Sequence, residues 1–391
     1  MARGQKSGTV ATEVELEEER NDTHFVYLLR EVPENATTHG KLDVGFYKVG
    51  KGKGRIRDRI AALQTGNPRR IDAVSIFPVA DAETAFFIET SLHNQFIAHR
   101  LAGSEWFRFD GRCLVDVIER ARDYAQELAE MTSVEQRFSC VVDLHPARHA
   151  LAEERERFEG VKRNVLMPKA EQRRRMSELR ALGRMAAIRS VLDDVPSLFV
   201  PKLIRLNSRF DVKRFSEAYP EIASRFRQPA RRSFRWAYRA PPVRRSVLDI
   251  LPRAEACAKR LLMGHVDIES EELVEQVRTH LVGFDDVKIL HELHGLMRSV
   301  ALRSVSERME MSWFKSRVAD SEGIEGVCRG GFLSPKVDGK SLASHVMRED
   351  RQLFDQYQTP EQLILRVQFP DGGSETEAHV SAEDFQAEDD E

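Results

Sequence analysis

Cysteine is scarce in this chain. Cys113, Cys140, Cys257 and Cys328 are the only four in 391 residues. No two of them have the spacing of a zinc site or a redox pair, so they read as reduced thiols of a cytoplasmic protein. Long apolar runs are missing too. Nothing approaches the uninterrupted stretch that a membrane span requires. Met1 to Arg20 lacks the apolar core of a secretory signal, so a soluble protein is expected, with no membrane partner. No internal repeat is present. Phosphate-loop chemistry finds no support, because no glycine-rich loop ends in Gly-Lys-Ser/Thr. Nor does His291-Glu292-Leu293-His294 supply a metalloprotease motif, which needs two histidines four apart.

Net charge is also low, and here the total misleads. The 60 Lys and Arg nearly balance the 63 Asp and Glu, giving −3. The acids are concentrated at the ends: residues 371–391 hold nine and no base, and residues 1–24 hold six against three bases. Residues 162–245 carry 22 Lys and Arg against 7 Asp and Glu. That asymmetry points to a polyanionic partner and to solvated acidic tails. Composition and periodicity suggest a disordered leader at 1–23, an α/β domain at 24–131 and a connector at 132–160 with a possible strand from Phe138 to Leu144. A basic region at 161–245, helices at 246–350, a hairpin-containing segment at 351–380 and an acidic tail at 381–391 follow.

Chemistry-bearing residues concentrate in the first third. An apolar strand with a central tyrosine, Phe25-Val26-Tyr27-Leu28-Leu29, precedes Phe46-Tyr47-Lys48-Val49-Gly50. A loop then follows, Gly50-Lys51-Gly52-Lys53-Gly54, opening a helix near Arg55. Glycines let a backbone approach a ligand, helix starts attract phosphate, and Lys51, Lys53 and Arg55 add charge. On the helix Arg55–Gln64, Arg59 sits about 60° from Ile56, at the edge of the apolar stripe. It reads either as a snorkelling surface arginine or as a rigid phosphate clamp. Glu89 lies on the inward stripe of the next helix with Ile88 and Leu92. A carboxylate there needs an ion pair or a metal, and the pattern alone leaves both open. His93, one turn on, reads as a structural histidine. Tyr27 and Trp106 need no role beyond packing.

Taken in order, and closed by Ser104-Glu105-Trp106-Phe107, these elements resemble the GIY-YIG endonuclease superfamily, particularly its phage-type DNA-binding branch, over about residues 24–110. The resemblance implies a small mixed sheet flanked by helices in β-β-α-β-α order. It also implies Mg²⁺- or Mn²⁺-dependent hydrolysis of phosphodiester bonds in double-stranded or branched DNA. By the resemblance, Glu89 binds the metal, Arg59 stabilises the phosphate, and Tyr27 orients or deprotonates water. Lys48 stands where that family carries a second tyrosine. Strand alternation keeps Tyr47 and Lys48 from both facing one site, so Lys48 is placed there. This departure leaves the general base open, and with it a domain that binds DNA without cutting it. A structural or assembly factor whose charged segments bind protein partners is a further alternative.

The basic middle offers Arg173, Arg174 and Arg175 on a helix, then Arg231-Arg232-Ser233-Phe234-Arg235-Trp236. There arginines alternate with aromatics. Arg231, Arg232 and Arg235 are expected to touch phosphates and Trp236 to stack on bases. Period-two alternation fits equally well a strand that buries Phe234 and Trp236 on one face. Leu363 to Phe369 and the alternating stretch to Val380 suggest a C-terminal β-hairpin around Pro370-Asp371-Gly372-Gly373.

Overall fold

A computed structural model describes residues 23–32, 44–101, 104–141, 143–230, 232–241, 250–265, 270–318, 320–333 and 335–370. The expected leader at 1–23 lies outside these residues except for Thr23, as do Arg231, the second arm of the hairpin and the acidic tail. The chain divides into two compact units, Met1–Thr132 and Ser133–Glu391.

Unit 1 contains β1 (His24–Val32), β2 (Gly45–Lys53), α1 (Ile56–Gln64), β3 (Arg70–Val79), α2 (Ala82–Gln95), β4 (Trp106–Phe109) and the start of α3 (Gly111–Cys140). The four strands form an antiparallel sheet in the order β3-β1-β2-β4. Alternation sets its two faces. On one face Phe25, Tyr27 and Leu29 of β1 pack with Ile56 of α1 and Ile71 of β3. On the other face the Phe109 ring meets those of Tyr47 and Phe107. Helix α2 buries Ala85, Ile88 and Leu92. Its start is fixed by Asp81, whose carboxylate accepts the Thr84 N–H at 2.7 Å.

The segment expected to be a phosphate-cradling loop is strand. Gly50 and Gly52 belong to β2, opposite Tyr27 and Phe25 of β1. A Cβ on Gly50 would stand 2.5 Å from the Tyr27 ring, and one on Gly52 would stand 2.6 Å from the Phe25 ring. Those glycines are therefore required by two aromatic rings lying across β2, and only Gly54, at φ 85°, makes the turn into α1. Helix α3 runs through Cys140, so the expected strand at Phe138 is helix. Phe138 keeps the helical spacing of Leu128 and Tyr124, and it is buried.

Unit 2 is mainly helical: α4 (Ala152–Val161), α5 (Met167–Leu192), then β5 (Val200–Leu206), α6 (Val212–Ala218), α7 (Pro220–Ser224) and β6 (Arg232–Trp236). The helices α8 (Leu251–Leu262), α9 (Ser270–His280) and α10 (Asp286–Val318) follow, with β7 (Gly323–Ile324), β8 (Cys328–Phe332), α11 (Gly339–Glu349), α12 (Arg351–Gln356) and β9 (Gln362–Gln368) last. Helix α5 is its axis. Ala181, Met185 and Ile188 pack with α8 and α9, while Met176, Leu179 and Ala187 pack with α10 and Phe199. Between α4 and α5 lies a π-helical turn, Lys162–Leu166, just before Pro168. Pro168 has no N–H for the Asn164 carbonyl, and the Arg303 guanidinium donates to that carbonyl instead. The C-terminal strand forms as expected, and among the described residues it pairs antiparallel with β5.

Candidate functional site

In unit 1 the charged residues gather around the part of β2 that outruns its neighbour. Strand β4 pairs with β2 only as far as Lys48–Trp106, one residue short of the Val49 carbonyl. The buried His93 ring on α2 meets that carbonyl, Nε2 to O 2.9 Å. It also lies 5.2 Å from the Phe107 ring. Edge satisfaction explains this histidine without any catalytic role.

Tyr27 projects to the α1 face, where its hydroxyl oxygen accepts the Arg59 Nε–H at 3.2 Å. Burial raises the phenol above its ordinary value, and Arg59 opposes that only in part. Tyr27 is therefore a neutral phenol near pH 7, able to donate its own proton while accepting from Arg59. The hydrogen bond to Tyr27 likewise raises the guanidinium. Arg59 is exposed apart from that bond, so its remaining N–H groups face solvent. Lys48 shares the Tyr27 face, whereas Tyr47 is buried on the other against Phe109, with ring centroids 5.8 Å apart.

Each lysine of this corner has a carboxylate. The Lys48 ammonium, with only 7% of its side chain exposed, is paired with Glu105. That hydrogen bond lowers Glu105 below the usual carboxylate range, with His93 and Arg100 adding to the effect. Lys51 is paired with Glu89 and also stands over the Phe86 ring, 4.7 Å from its centroid. Glu89 and Glu105 both lie close enough to Tyr27 and Arg59 to act on them electrostatically. Tyr27, Lys48, Arg59 and Glu105 thus gather on the α1 face of the sheet, Lys51 leaves β2 from the opposite face to hold Glu89 of α2, and Lys53 and Arg55 are exposed nearby.

Glu105 was read from sequence as part of a packing string, and its pairing was missed. The available signal was Lys48 itself: an ammonium at an inward strand position requires a counter-charge. Among the described residues no three His, Cys, Asp or Glu side chains converge into a metal cage. Glu89 and Glu105 are single carboxylates, each already holding a lysine.

The basic residues of unit 2 are differently disposed, and several expectations are corrected there. Arg232 is 6% exposed, donates to the carbonyls of Ser321 (2.6 Å) and Phe138 (3.3 Å), and lies 4.0 Å from the Phe138 ring centroid. Desolvation lowers its pKa, and no phosphate can reach it. Trp236 stacks on Phe158, and its indole N–H donates to Glu307 at 3.2 Å, so it serves the core rather than bases. Arg174 pairs with Glu171, and Arg175 pairs with Glu292 of α10 at 2.8 Å. Arg173 and Arg235 are exposed.

A small antiparallel sheet carrying a tyrosine–arginine pair within electrostatic reach of two carboxylates is an arrangement suited to an anionic substrate. Residues 24–123 match the family model of the T5orf172 domain. This corrects the resemblance drawn from motif order: the family matched is a distinct, HNH/GIY-YIG-like phage domain rather than the GIY-YIG endonuclease family itself. The domain is of a nuclease-like, DNA-binding type, which gives weak support to a nuclease-type role and suggests nucleic-acid binding. No curated protein and no solved structure matches the chain. No helix among the described residues is long and apolar enough to cross a membrane.

Proposed function

We propose that unit 1 is a divalent-metal-dependent DNA endonuclease domain that hydrolyses phosphodiester bonds. The observation that carries this reading is the Tyr27–Arg59 hydrogen bond, within electrostatic reach of Glu89 and Glu105, in the segment matching a nuclease-like family. Hydrolysis adds water across a P–O bond: the water oxygen bonds to phosphorus, the ester oxygen departs, and one proton must leave the water while another reaches the leaving group. Arg59, held through Nε, presents its free N–H groups to the phosphate. The Tyr27 phenol orients the water or a phosphate oxygen and does not act as a resting base, because burial keeps it protonated. Lys48, fixed by Glu105, supplies positive charge from beneath.

Mg²⁺ or Mn²⁺ fits the donor set. Mg²⁺ is commonly bound by one or two carboxylates together with water and substrate phosphate, and the largely buried Glu89 can supply the carboxylate. Glu89 would hold the ion, and the ion would stabilise charge on the leaving oxygen. Lys51 would then exchange its carboxylate partner for a phosphate.

The Lys51–Glu89 ion pair also favours a second reading, in which the domain binds DNA without cutting it. Nicking of supercoiled DNA decides between them. Metal-dependent nicking that is stopped by EDTA, by Glu89→Ala and by Arg59→Ala is the expected result. Metal-independent DNA binding with no cleavage of supercoiled or branched DNA would leave the binding module as the function.

A further inference from the structure

Beside the charged corner stands an apolar side chain that neither the core nor the chemistry uses. Phe86 is 50% exposed. Its position is dictated by α2: the buried residues Ala85, Ile88 and Leu92 hold one face of the helix against the unit, and Asp81 caps its start, so Phe86 is turned outward on a fixed element. Phe86 is one turn from Glu89, on the same side of α2. The Lys51 ammonium that pairs with Glu89 covers the Phe86 ring at 4.7 Å. With the ammonium over the ring, half of the Phe86 surface remains exposed.

We infer that Phe86 is a nucleobase-stacking platform beside the scissile phosphate, so that the preferred substrate is DNA with an unpaired base at the cleavage position. This deepens the nuclease reading above and rests on it. An aromatic ring offers a π-face to any base, and an ammonium beside it neutralises the neighbouring phosphate, which is how unpaired strands are gripped without sequence preference. Charge complementarity supports a polyanionic occupant: Lys51, Lys53, Arg55, Arg57 and Arg59 stand within nine positions, with Asp58 the one acid among them. A base inside a stacked duplex cannot present its face to Phe86, so an unpaired or junction base is the matching partner.

The test uses the full chain in EDTA, which prevents cleavage. It measures binding to a duplex with one unpaired 2-aminopurine and to the fully paired duplex. Wild type is expected to bind the unpaired duplex on the order of tenfold more tightly and to quench its fluorescence. Phe86→Ala should abolish both the preference and the quenching while changing affinity for the paired duplex less than about twofold, and Phe86→Tyr should retain both. An unchanged preference in Phe86→Ala, or an equal loss on both duplexes, overturns the inference and leaves the nuclease reading standing. Failure of wild type to bind either DNA overturns the inference. Phe86 is half exposed, so the alanine variant should fold, as its circular dichroism and melting temperature would verify.

Discussion

At the scale of single residues, Lys48 decides most. A nearly buried ammonium is tolerable only with a charge partner, and Glu105 supplies one from 57 residues away in sequence. Glu105→Gln leaves Lys48 without that charge and should cost about 2 kcal/mol, less than a fully buried pair because the Glu105 carboxylate is about half in solvent. The pH dependence has a definite sign. Glu105 is lowered in the fold, so its contribution is complete above the ordinary carboxylate value and disappears as pH falls through the lowered one. Thermal melts of wild type and Glu105→Gln should therefore differ at pH 7 and draw together as pH falls past the ordinary carboxylate value and through the lowered one. A gap that stayed constant with pH would mean that the Glu105 charge contributes nothing. The partner of Lys48 was not legible in sequence, since a pattern rule reports that a charge must be neutralised but not which distant acid will do it.

At the scale of elements, the strands and helices of unit 1 were readable because alternation and helical spacing are local signals. Leu29-to-Phe25 alternation, the stop at Gly66-Asn67-Pro68 and the stripe Ile88–Leu92 all lie within a few residues of one another. The glycines of β2 were misread for the opposite reason. Gly50 and Gly52 look like a loop until the rings of Tyr27 and Phe25 are placed over them, and that requires the β1–β2 register. Gly50→Ala should cost about 1–3 kcal/mol by overpacking and should displace Tyr27 from Arg59. Gly66→Ala, with nothing within 4 Å of the added carbon, should be nearly neutral. Equal stability of the two variants in urea melts would contradict the crossing of the Tyr27 ring over β2. In β6 the same alternation of arginine and aromatic fitted both a DNA surface and a buried face, and the core took Phe234 and Trp236. Arg232→Ala removes a buried guanidinium from two carbonyls and should lower stability by about 3 kcal/mol, leaving the DNA affinity of the folded protein unchanged. A selective loss of DNA affinity at full stability would restore Arg232 to the interface.

At the scale of the whole molecule, local charge counts overstated one region and understated another. Several of the Lys and Arg in residues 162–245 are held by acids from later helices of unit 2: Lys169 pairs with Glu307, Arg184 with Glu255, and Arg175 with Glu292. A window drawn along the chain cannot register partners contributed from 71 to 138 residues away. Unit 1 has a smaller run, Lys51 to Arg59, but Arg55 and Arg57 are exposed on it and Asp58 is its one acid. Salt dependence of DNA binding separates the two regions, because each phosphate contact contributes about one unit to the slope of log affinity against log salt. Alanine at Arg55 or Arg57 should each reduce that slope by about 1. Alanine at Arg174 or Arg175 should leave it unchanged, since those guanidiniums already hold carboxylates, and should change stability little. The reverse pattern would mean that the α5 arginines exchange their carboxylates for phosphates on binding. The DNA surface would then lie on unit 2.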